Sequence, residues 1–472
     1  MSIFRFEKVS FQKTFQSPLF EDISWEYKEG EQWGIVGPSG SGKTTFAEAV
    51  AGKLHIRNGT VVRPCDPQEI AYLSFEEDSA HFHYRDYYYQ QRFQASEADL
   101  GMTVQEFLET TSQDFSALAS FIDITPLLPL TFIKLSNGQT RKIRLAKALL
   151  SQPKCLVLDN PFTGLDVGSR QELAHLFQQL PSLGIPLLII DEYQHVASFV
   201  THLLILDQCR IAWQGPVRNY SPPAEDASVA IISKVSTLPF HPASFQRIAS
   251  FSHVSIRYGE RAILQDLTWE VRQGERWRVK GPNGAGKSTL FSLLNADIPQ
   301  AYGQDIVLFD RKRGSGESIW DIKQLIGYYS PELQYYFKHD LSVFQVVATG
   351  LTDRVYVQRD VTAQEAECIS WHLAYAGLGN KANTAFQTLG KSHQNLVLFL
   401  RALIKNPPLL LLDEPFLSLH TEDKVLCKQL LRHYLEQANC TLLIISHHDE
   451  EIRGITAKTL ELAEGRSKFA SQ

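Results

Sequence analysis

Gly37-Pro38-Ser39-Gly40-Ser41-Gly42-Lys43-Thr44 and Gly281-Pro282-Asn283-Gly284-Ala285-Gly286-Lys287-Ser288 are two renderings of one pattern, G-x-x-x-x-G-K-[ST], set 244 residues apart. In such a loop, backbone N–H groups curl around phosphate oxygens, the lysine supplies positive charge and the next hydroxyl ligates Mg²⁺. Thr45 and Thr289 follow directly and complete the two predicted nucleotide-binding sets. The copying extends upstream. Asp22, Trp25, Glu26, Gly30, Glu31 and Trp33 recur at the same offset as Asp266, Trp269, Glu270, Gly274, Glu275 and Trp277. Two such loops in a shared frame mark a duplicated nucleotide-binding chain.

With 472 residues, 44% of them hydrophobic, the chain can bury full cores, and a prior of roughly 150 residues per domain gives about two to four units. A net charge of −6 and a pI near 6.2 do not favour a large electropositive surface, so no nucleic-acid partner is expected. The longest apolar runs, Leu187-Leu188-Ile189-Ile190 and Leu409-Leu410-Leu411-Leu412, have the length of buried parallel strands. They fall short of the roughly 18 residues a membrane span needs. The opening Met1-Ser2-Ile3-Phe4-Arg5-Phe6-Glu7 lacks the basic and apolar regions of a signal peptide. Cys65, Cys155, Cys209, Cys368, Cys427 and Cys440 are scattered without a C-x-x-C pair. They read as reduced thiols of a cytosolic protein, with Cys155 a small core residue.

Each half opens with β-type segments and meets its phosphate loop at a strand-to-helix turn, the helices starting at Lys43 and Lys287. A helical middle section follows. Next comes an apolar strand ending in Asp, Leu156-Val157-Leu158-Asp159 or Leu410-Leu411-Leu412-Asp413, then a helix and a further buried strand. This alternation predicts an α/β fold with a mostly parallel sheet covered on both faces. Residues 216–247 contain Pro222, Pro223, Pro239 and Pro242 and little periodicity. They read as a flexible linker between a domain over 1–215 and another over 248–472.

Between the two phosphate-site segments of the first half lies Leu135-Ser136-Asn137-Gly138-Gln139, followed by helix-forming residues, and Gly164-Leu165-Asp166 comes just after the Asp-ending strand. These resemble the LSGGQ signature and D-loop of ATP-binding cassette (ABC) ATPases. The resemblance implies two P-loop ABC nucleotide-binding domains, each with a parallel core, a β subdomain and a helical subdomain. It also implies that two ATP molecules are held, each between the Walker A loop of one cassette and the signature of the other. A helix N-terminus and its Ser would then cap the γ-phosphate.

For the site on the second Walker A loop, the resemblance assigns Lys287 to the phosphates, and Ser288 with Asp413 to Mg²⁺. It assigns Glu414 to the attacking water, His447 to the γ-phosphate as switch residue, and Tyr258, 29 residues before Lys287, to the adenine. Ser136, Gly138, Gln139 and Asp166 come from the other half. The first site keeps Lys43, Thr44 and Asp159 for Mg–ATP. However, Asn160 stands at the Glu position, and an amide cannot accept a proton at neutral pH. Glu192 stands at the His position, the facing signature reads Leu389-Gly390-Lys391-Ser392-His393-Gln394, and its D-loop ends Ser418-Leu419-His420. All the losses fall on one site, which predicts one consensus and one degenerate centre.

At the Q-loop position stand Phe75 and Pro331, each followed by Glu (Glu76, Glu332) with a possible service to metal or water. In the first half Thr14 occupies the adenine-stacking position, leaving Phe11 or Phe15 as substitutes. The segment His81-Phe82-His83-Tyr84-Arg85-Asp86-Tyr87-Tyr88-Tyr89-Gln90-Gln91-Arg92-Phe93 reads first as a packing or partner-contact loop, with base stacking or a metal as alternatives.

The run from Leu308 to Lys323, containing Arg311-Lys312-Arg313, resembles the soluble tandem molybdenum-transport ATP-binding proteins, a group also called photorepair proteins. Taken alone, the three cations read as a solvated basic turn. The resemblance implies a cytoplasmic ATPase, peripheral at the inner membrane face when its partner is a membrane permease. Two alternatives stay open: a soluble tandem ATPase acting on the ribosome or another macromolecule, and a sugar-importer-type fused ATPase.

Overall fold

The computed structural model describes residues 2–12, 20–38, 41–75, 102–109, 115–132, 135, 137–162, 165, 167–191, 196–220, 235–239, 244–258, 261–337, 341–417, 419, 421–437, 440–446, 449–463 and 465–471. The chain divides into two compact units, Met1–Glu225 and Asp226–Gln472. Among the described residues no helix is long and apolar enough to cross a membrane.

The first unit contributes β1 (Ser2–Gln12), β2 (Phe20–Lys28), β3 (Trp33–Val36), β4 (His55–Val62), β5 (Ile70–Ser74), β6 (Cys155–Asp159), β7 (Leu187–Ile190), β8 (His202–Asp207) and β9 (Arg210–Pro216). An antiparallel sheet in the order β2-β1-β4 presents Phe4, Phe6, Phe11, Trp25 and Tyr27 inward. Exposed residues alternate with buried ones along most of β2, as expected of a sheet with one wet face. The second sheet runs β5-β6-β7-β3-β8-β9, parallel up to β8 and closed by an antiparallel β9. β6 and β7 are buried at every position, which is why they appear in the sequence as unbroken apolar runs. Helices Val104–Glu109, Ser116–Phe121 and Asn137–Leu150 build a separate helical core through Val104, Leu108, Ala119, Ile143 and Leu145.

The second unit repeats this plan. It contributes β10 (Arg247–Tyr258), β11 (Arg261–Arg272), β12 (Arg276–Lys280), β13 (Asp305–Leu308), β14 (Arg311–Lys312), β15 (Ile326–Tyr329), β16 (Leu409–Asp413), β17 (Thr441–Ile445), β18 (Lys458–Ala463) and β19 (Arg466–Ser471). Its core sheet, β15-β16-β17-β12-β18-β19, matches the first strand for strand. All six cysteines are free thiols and Cys155 lies within buried β6.

Two observations bear on those expectations. The described residues of the 216–247 segment, which are 216–220, 235–239 and 244–247, are packed at several points. Val217–Asn219 form a 3₁₀ turn, and Tyr220 packs on Trp213 with ring centroids 5.2 Å apart. Val235 is buried in the second unit's helical core, Cys368 Sγ donates to Ser236 O at 3.3 Å, and Asn406 Nδ2 donates to Leu238 O at 2.9 Å. Phe245 meets Phe309 edge-on at 5.2 Å, and the backbone N–H groups of Gln246 and Arg247 donate to Asp310. Among the described residues of the segment, Val235 and Phe245 thus pack within the second unit.

The Arg311-Lys312-Arg313 turn is only partly solvated. Arg311 and Lys312 are exposed, but Arg313 is 4% exposed, pairs with Glu317 and lies over the Tyr302 ring. Removing one member of such a pair strands a buried charge. Glu317→Ala should therefore destabilise the second unit by about 3 kcal/mol in denaturant unfolding followed by Trp fluorescence. Arg311→Ala should move the same transition by less than about 0.5 kcal/mol.

Candidate active site

β3 and β12 each deliver a phosphate loop from the middle of a parallel sheet. A Cβ on Gly37 (φ +154°) would lie 2.2 Å from Leu206 O, and one on Gly281 (φ +156°) 2.2 Å from Leu462 O. Only glycine lets the loop cross the neighbouring strand at that distance. Each turn then closes through a 3.2 Å bond, from Ser41 N to Pro38 O and from Ala285 N to Pro282 O. Gly42 and Gly286 stand left-handed ahead of helices Lys43–Val50 and Lys287–Leu294, and neither helix has a side-chain cap. The helix N-termini thus face the loop with backbone donors and the positive end of the dipole.

The lysines lie folded over their own loops. Lys43 Nζ donates to Gly37 O (2.8 Å) and Pro38 O (3.0 Å). Lys287 Nζ, on a side chain 8% exposed in total, donates to Gly281 O (2.6 Å) and Pro282 O (3.1 Å). Ser41 is 2% exposed and its hydroxyl makes no hydrogen bond among the described residues. Cations, backbone donors and a buried hydroxyl around one turn form a donor set that suits a polyphosphate. Thr44 and Ser288 follow the lysines in the first helical turn, with Thr45 and Thr289 next.

β6 and β16 end beside these loops in Asp159 and Asp413. The residue after each, Asn160 (φ 52°) or Glu414 (φ 48°), takes a left-handed backbone. Each N–H bonds the end of the neighbouring strand: Asn160 to Ile190 O at 2.9 Å, Glu414 to Ile445 O at 3.0 Å. The two turns are therefore superposable in kind and differ in chemistry. Asparagine accepts this conformation readily, whereas glutamate holds it under strain.

The surroundings differ as well. Asp159 Oδ2 accepts from Tyr72 Oη at 2.9 Å and its Oδ1 from Asn160 Nδ2 at 3.3 Å. Asp413 sits near a second carboxylate. Desolvation first, then the charge of Glu332, push it up to about 7 against the opposing pull of Lys287. Glu332, in the 3₁₀ turn Pro331–Tyr335, is thus an electrostatic neighbour of the Asp413 carboxyl. Phe75, the counterpart of Pro331 in the first unit, is buried under Arg144 (4.8 Å) and Arg141 (5.5 Å).

The signature segments also diverge. Gly138 is buried, and a Cβ there would stand 2.9 Å from Ser169 Cβ, so glycine is needed for helix Asn137–Leu150 to meet helix Val167–Gln179. Gln139 follows it, partly exposed, in the first turn of the same helix. In the second unit, Ser392 replaces that glycine and donates from Oγ to Asp423 Oδ2 at 3.1 Å, Asp423 standing where Ser169 does. Burial, then the charge of Lys381, hold His393 below the usual histidine range, with Asp423 opposing. This helix start already has a carboxylate of its own.

Phe11 cannot stack on adenine: it is fully buried and packs on Phe6 at 5.5 Å. Tyr258 closes β10. Pro38, Asn283 and Gly284 are exposed on the rims of the two loops. Thr14, Phe15, Ser39, Gly40, Glu76, residues 81–93, Ser136, Asp166, Glu192, Ser418, His420 and His447 lie outside the described residues. Sequence reasoning missed Tyr72 and the Ser169/Asp423 pair, whose partners lie far along the chain.

The family model described as ABC transporter matches residues 20–163 and 264–417, one match in each unit. The chain belongs to the ABC ATPases. It is similar over its whole length to the ABC transporter ATP-binding protein ModF of Escherichia coli, at 34% identity over 96% of this chain and 94% of that protein. An uncharacterized ABC transporter ATP-binding protein of Schizosaccharomyces pombe is 29% identical over 95% and 96%. Among solved structures, an RNase-L inhibitor matches with TM-score 0.59 at 17% identity, covering 99% of this chain and 91% of that one. An archaeal ribosome recycling factor bound to a stalk protein matches with TM-score 0.56 at 18% identity, covering 93% and 85%. At those identities the likeness concerns the fold alone. The tandem ABC domains bind ATP, and the protein is an ABC-type ATPase releasing ADP and phosphate.

The electrostatics of Asp413 give a pH dependence. Its folded pKa lies above the ordinary carboxyl value near 4, so burial is tolerated at low pH and stability falls as pH rises from about 4 through 7. Asp413→Asn removes that titration. Without nucleotide, the variant should melt close to wild type at pH 5 and several degrees above it at pH 8. An equal difference at both values would show that Asp413 is an ordinary carboxylate.

Proposed function

We propose that this tandem ABC ATPase turns over ATP at the second Walker A loop and retains it at the first. One observation carries the reading. Two identical left-handed turns after β6 and β16, bonded alike to the next strand, hold an amide in one unit and a carboxylate in the other. A glutamate kept in a strained backbone position that asparagine fills more comfortably is retained for its chemistry.

At the second site Lys287 and the loop N–H groups neutralise the β- and γ-phosphates. Glu414 accepts the proton of the attacking water, His447 contacts the γ-phosphate and Tyr258 stacks on adenine. Ser288 and Asp413, and in the first unit Thr44 and Asp159, would hold Mg²⁺, which when bound would supply charge neutralisation at the phosphate oxygens. The proposal takes from the family pattern that Ser136, Gly138, Gln139 and Asp166 complete the second site. The Ser392–Asp423 bond supports degeneracy of the other signature, since a resident carboxylate there disfavours a second anion. For the biological role, the 308–323 run supports an ATP-binding protein of a molybdate-type transport system, working in the cytoplasm against a membrane permease. Affinity purification from its host should bring down a permease; ribosomes in its place would favour the macromolecule-acting alternative.

Glu414→Gln should lower steady-state ATPase about 100-fold or more while ATP binding stays within a few-fold of wild type. Wild-type turnover in that variant would remove Glu414 as the base. Lys287→Ala should abolish most turnover, whereas Lys43→Ala should reduce nucleotide occupancy and only part of the turnover. Equal, complete loss in both would contradict the asymmetry.

A further inference from the structure

Helix Asn137–Leu150 is fastened to the strand ends of the first phosphate site by two arginines on one helix face, three residues apart. Arg144 Nη2 donates to the carbonyl of Ser74, the last residue of β5, at 2.7 Å, and Arg141 Nη1 donates to Pro161 O at 2.5 Å. Pro161 comes two residues after Asp159, just beyond the left-handed turn at Asn160. Both guanidiniums also lie over the buried Phe75 ring, 4.8 Å from its centroid for Arg144 and 5.5 Å for Arg141. Phe75 N donates in turn to Asp159 O at 3.1 Å. One cluster therefore joins a helix face, the ends of β5 and β6 and the backbone of Asp159. Gly138 and Gln139 stand in the first turn of the same helix.

The second unit fills these positions differently. Aligned with Phe75, Arg141 and Arg144 are Pro331, Asn395 and Leu398, the last two buried in helix Lys391–Leu403. That helix meets its strand ends through aromatic rings, Phe399 lying 6.2 Å from Tyr329 and 6.5 Å from Phe416 between centroids. Leucine thus packs this helix position without a charge. Bringing two guanidiniums to one ring costs Coulomb repulsion and desolvation, and burial pushes Arg144 down to about 10. What the arginines add, and leucine cannot, is a directional bond from the helix to each strand end.

We propose that Arg141 and Arg144 are positioning residues that pass the state of the first phosphate site to helix Asn137–Leu150, and through Gly138 and Gln139 to turnover at the second. Nucleotide settling against the Asp159 turn shifts the carbonyls of Ser74 and Pro161, and the two bonds carry that shift into the helix. The inference rests on the reading of the first site as retaining and the second as hydrolytic. Both arginines act through the helix, not on the reacting atoms.

The test is a double-mutant cycle on the full chain. Steady-state kcat, KM for Mg–ATP and nucleotide retained per chain are measured for Arg144→Leu, Arg144→Lys, Lys43→Ala, and each Arg144 variant combined with Lys43→Ala. Arg144→Leu, which copies the second unit's residue, should lower kcat about fivefold or more, with KM within about threefold and retained nucleotide as in wild type. Arg144→Lys keeps a donor for Ser74 O and a charge over Phe75, so it should recover about half of that loss. With Lys43→Ala already emptying the first loop, both changes should alter kcat by less than about twofold, whereas a merely structural role gives the same loss in both backgrounds. An equal loss with and without Lys43 overturns the proposal. So does wild-type kcat in Arg144→Leu or in Lys43→Ala, or loss of the retained nucleotide in Arg144→Leu. If Arg144→Leu fails to fold, Arg141→Asn, again the second unit's residue, goes through the same cycle and the same outcomes decide. Complete loss of turnover in Lys43→Ala alone would instead overturn the reading of the two sites.

Discussion

A glycine pressed against a carbonyl fixes both halves of this protein. Gly37 and Gly281 approach Leu206 O and Leu462 O so closely that a single methyl group would overlap the oxygen. That contact ties each phosphate loop to the strand beside it. It sets the turn that follows, and with it the direction of the helix beginning at Lys43 or Lys287. The lysine and the hydroxyl after it are thereby placed in the first turn of a helix whose N-terminus faces the loop. The repeated strand order around this contact makes the two units comparable position by position.

Comparison on that frame shows where the halves part. The backbone of the Asp-ending strand and its turn is kept in both, so ATP recognition is shared. The side chain that follows the Asp is not: it is Asn160 in one unit and Glu414 in the other. Asp159 is engaged by Tyr72 and Asn160 within its own unit, whereas Asp413 meets the opposing charges of Glu332 and Lys287. Closely placed carboxylates in a desolvated setting are tolerable when a cation and a polyphosphate are due to arrive.

Much of the site could be read in the sequence because its parts are local. The two phosphate loops, the apolar strands and the Asn160/Glu414 difference lie in short windows where spacing determines geometry. What escaped depends on packing that spacing alone does not reveal, most of it between distant windows. Phe11 looks available for stacking until the antiparallel sheet turns it into the aromatic core. The prolines of 216–247 suggest a tether, but Val235, Leu238 and Phe245 find apolar surface on the second unit. Arg313 reads as one of three solvated cations, yet Glu317 four residues later draws it inside.

The claim that one site turns over and the other retains its nucleotide is tested most directly by counting products. The protein should be loaded with labelled ATP and Mg²⁺, freed of excess nucleotide and quenched in acid over a time course. The account predicts that ADP rises to one per chain while one ATP per chain persists far longer. Two ADP per chain, formed at one rate with no surviving ATP, would contradict it.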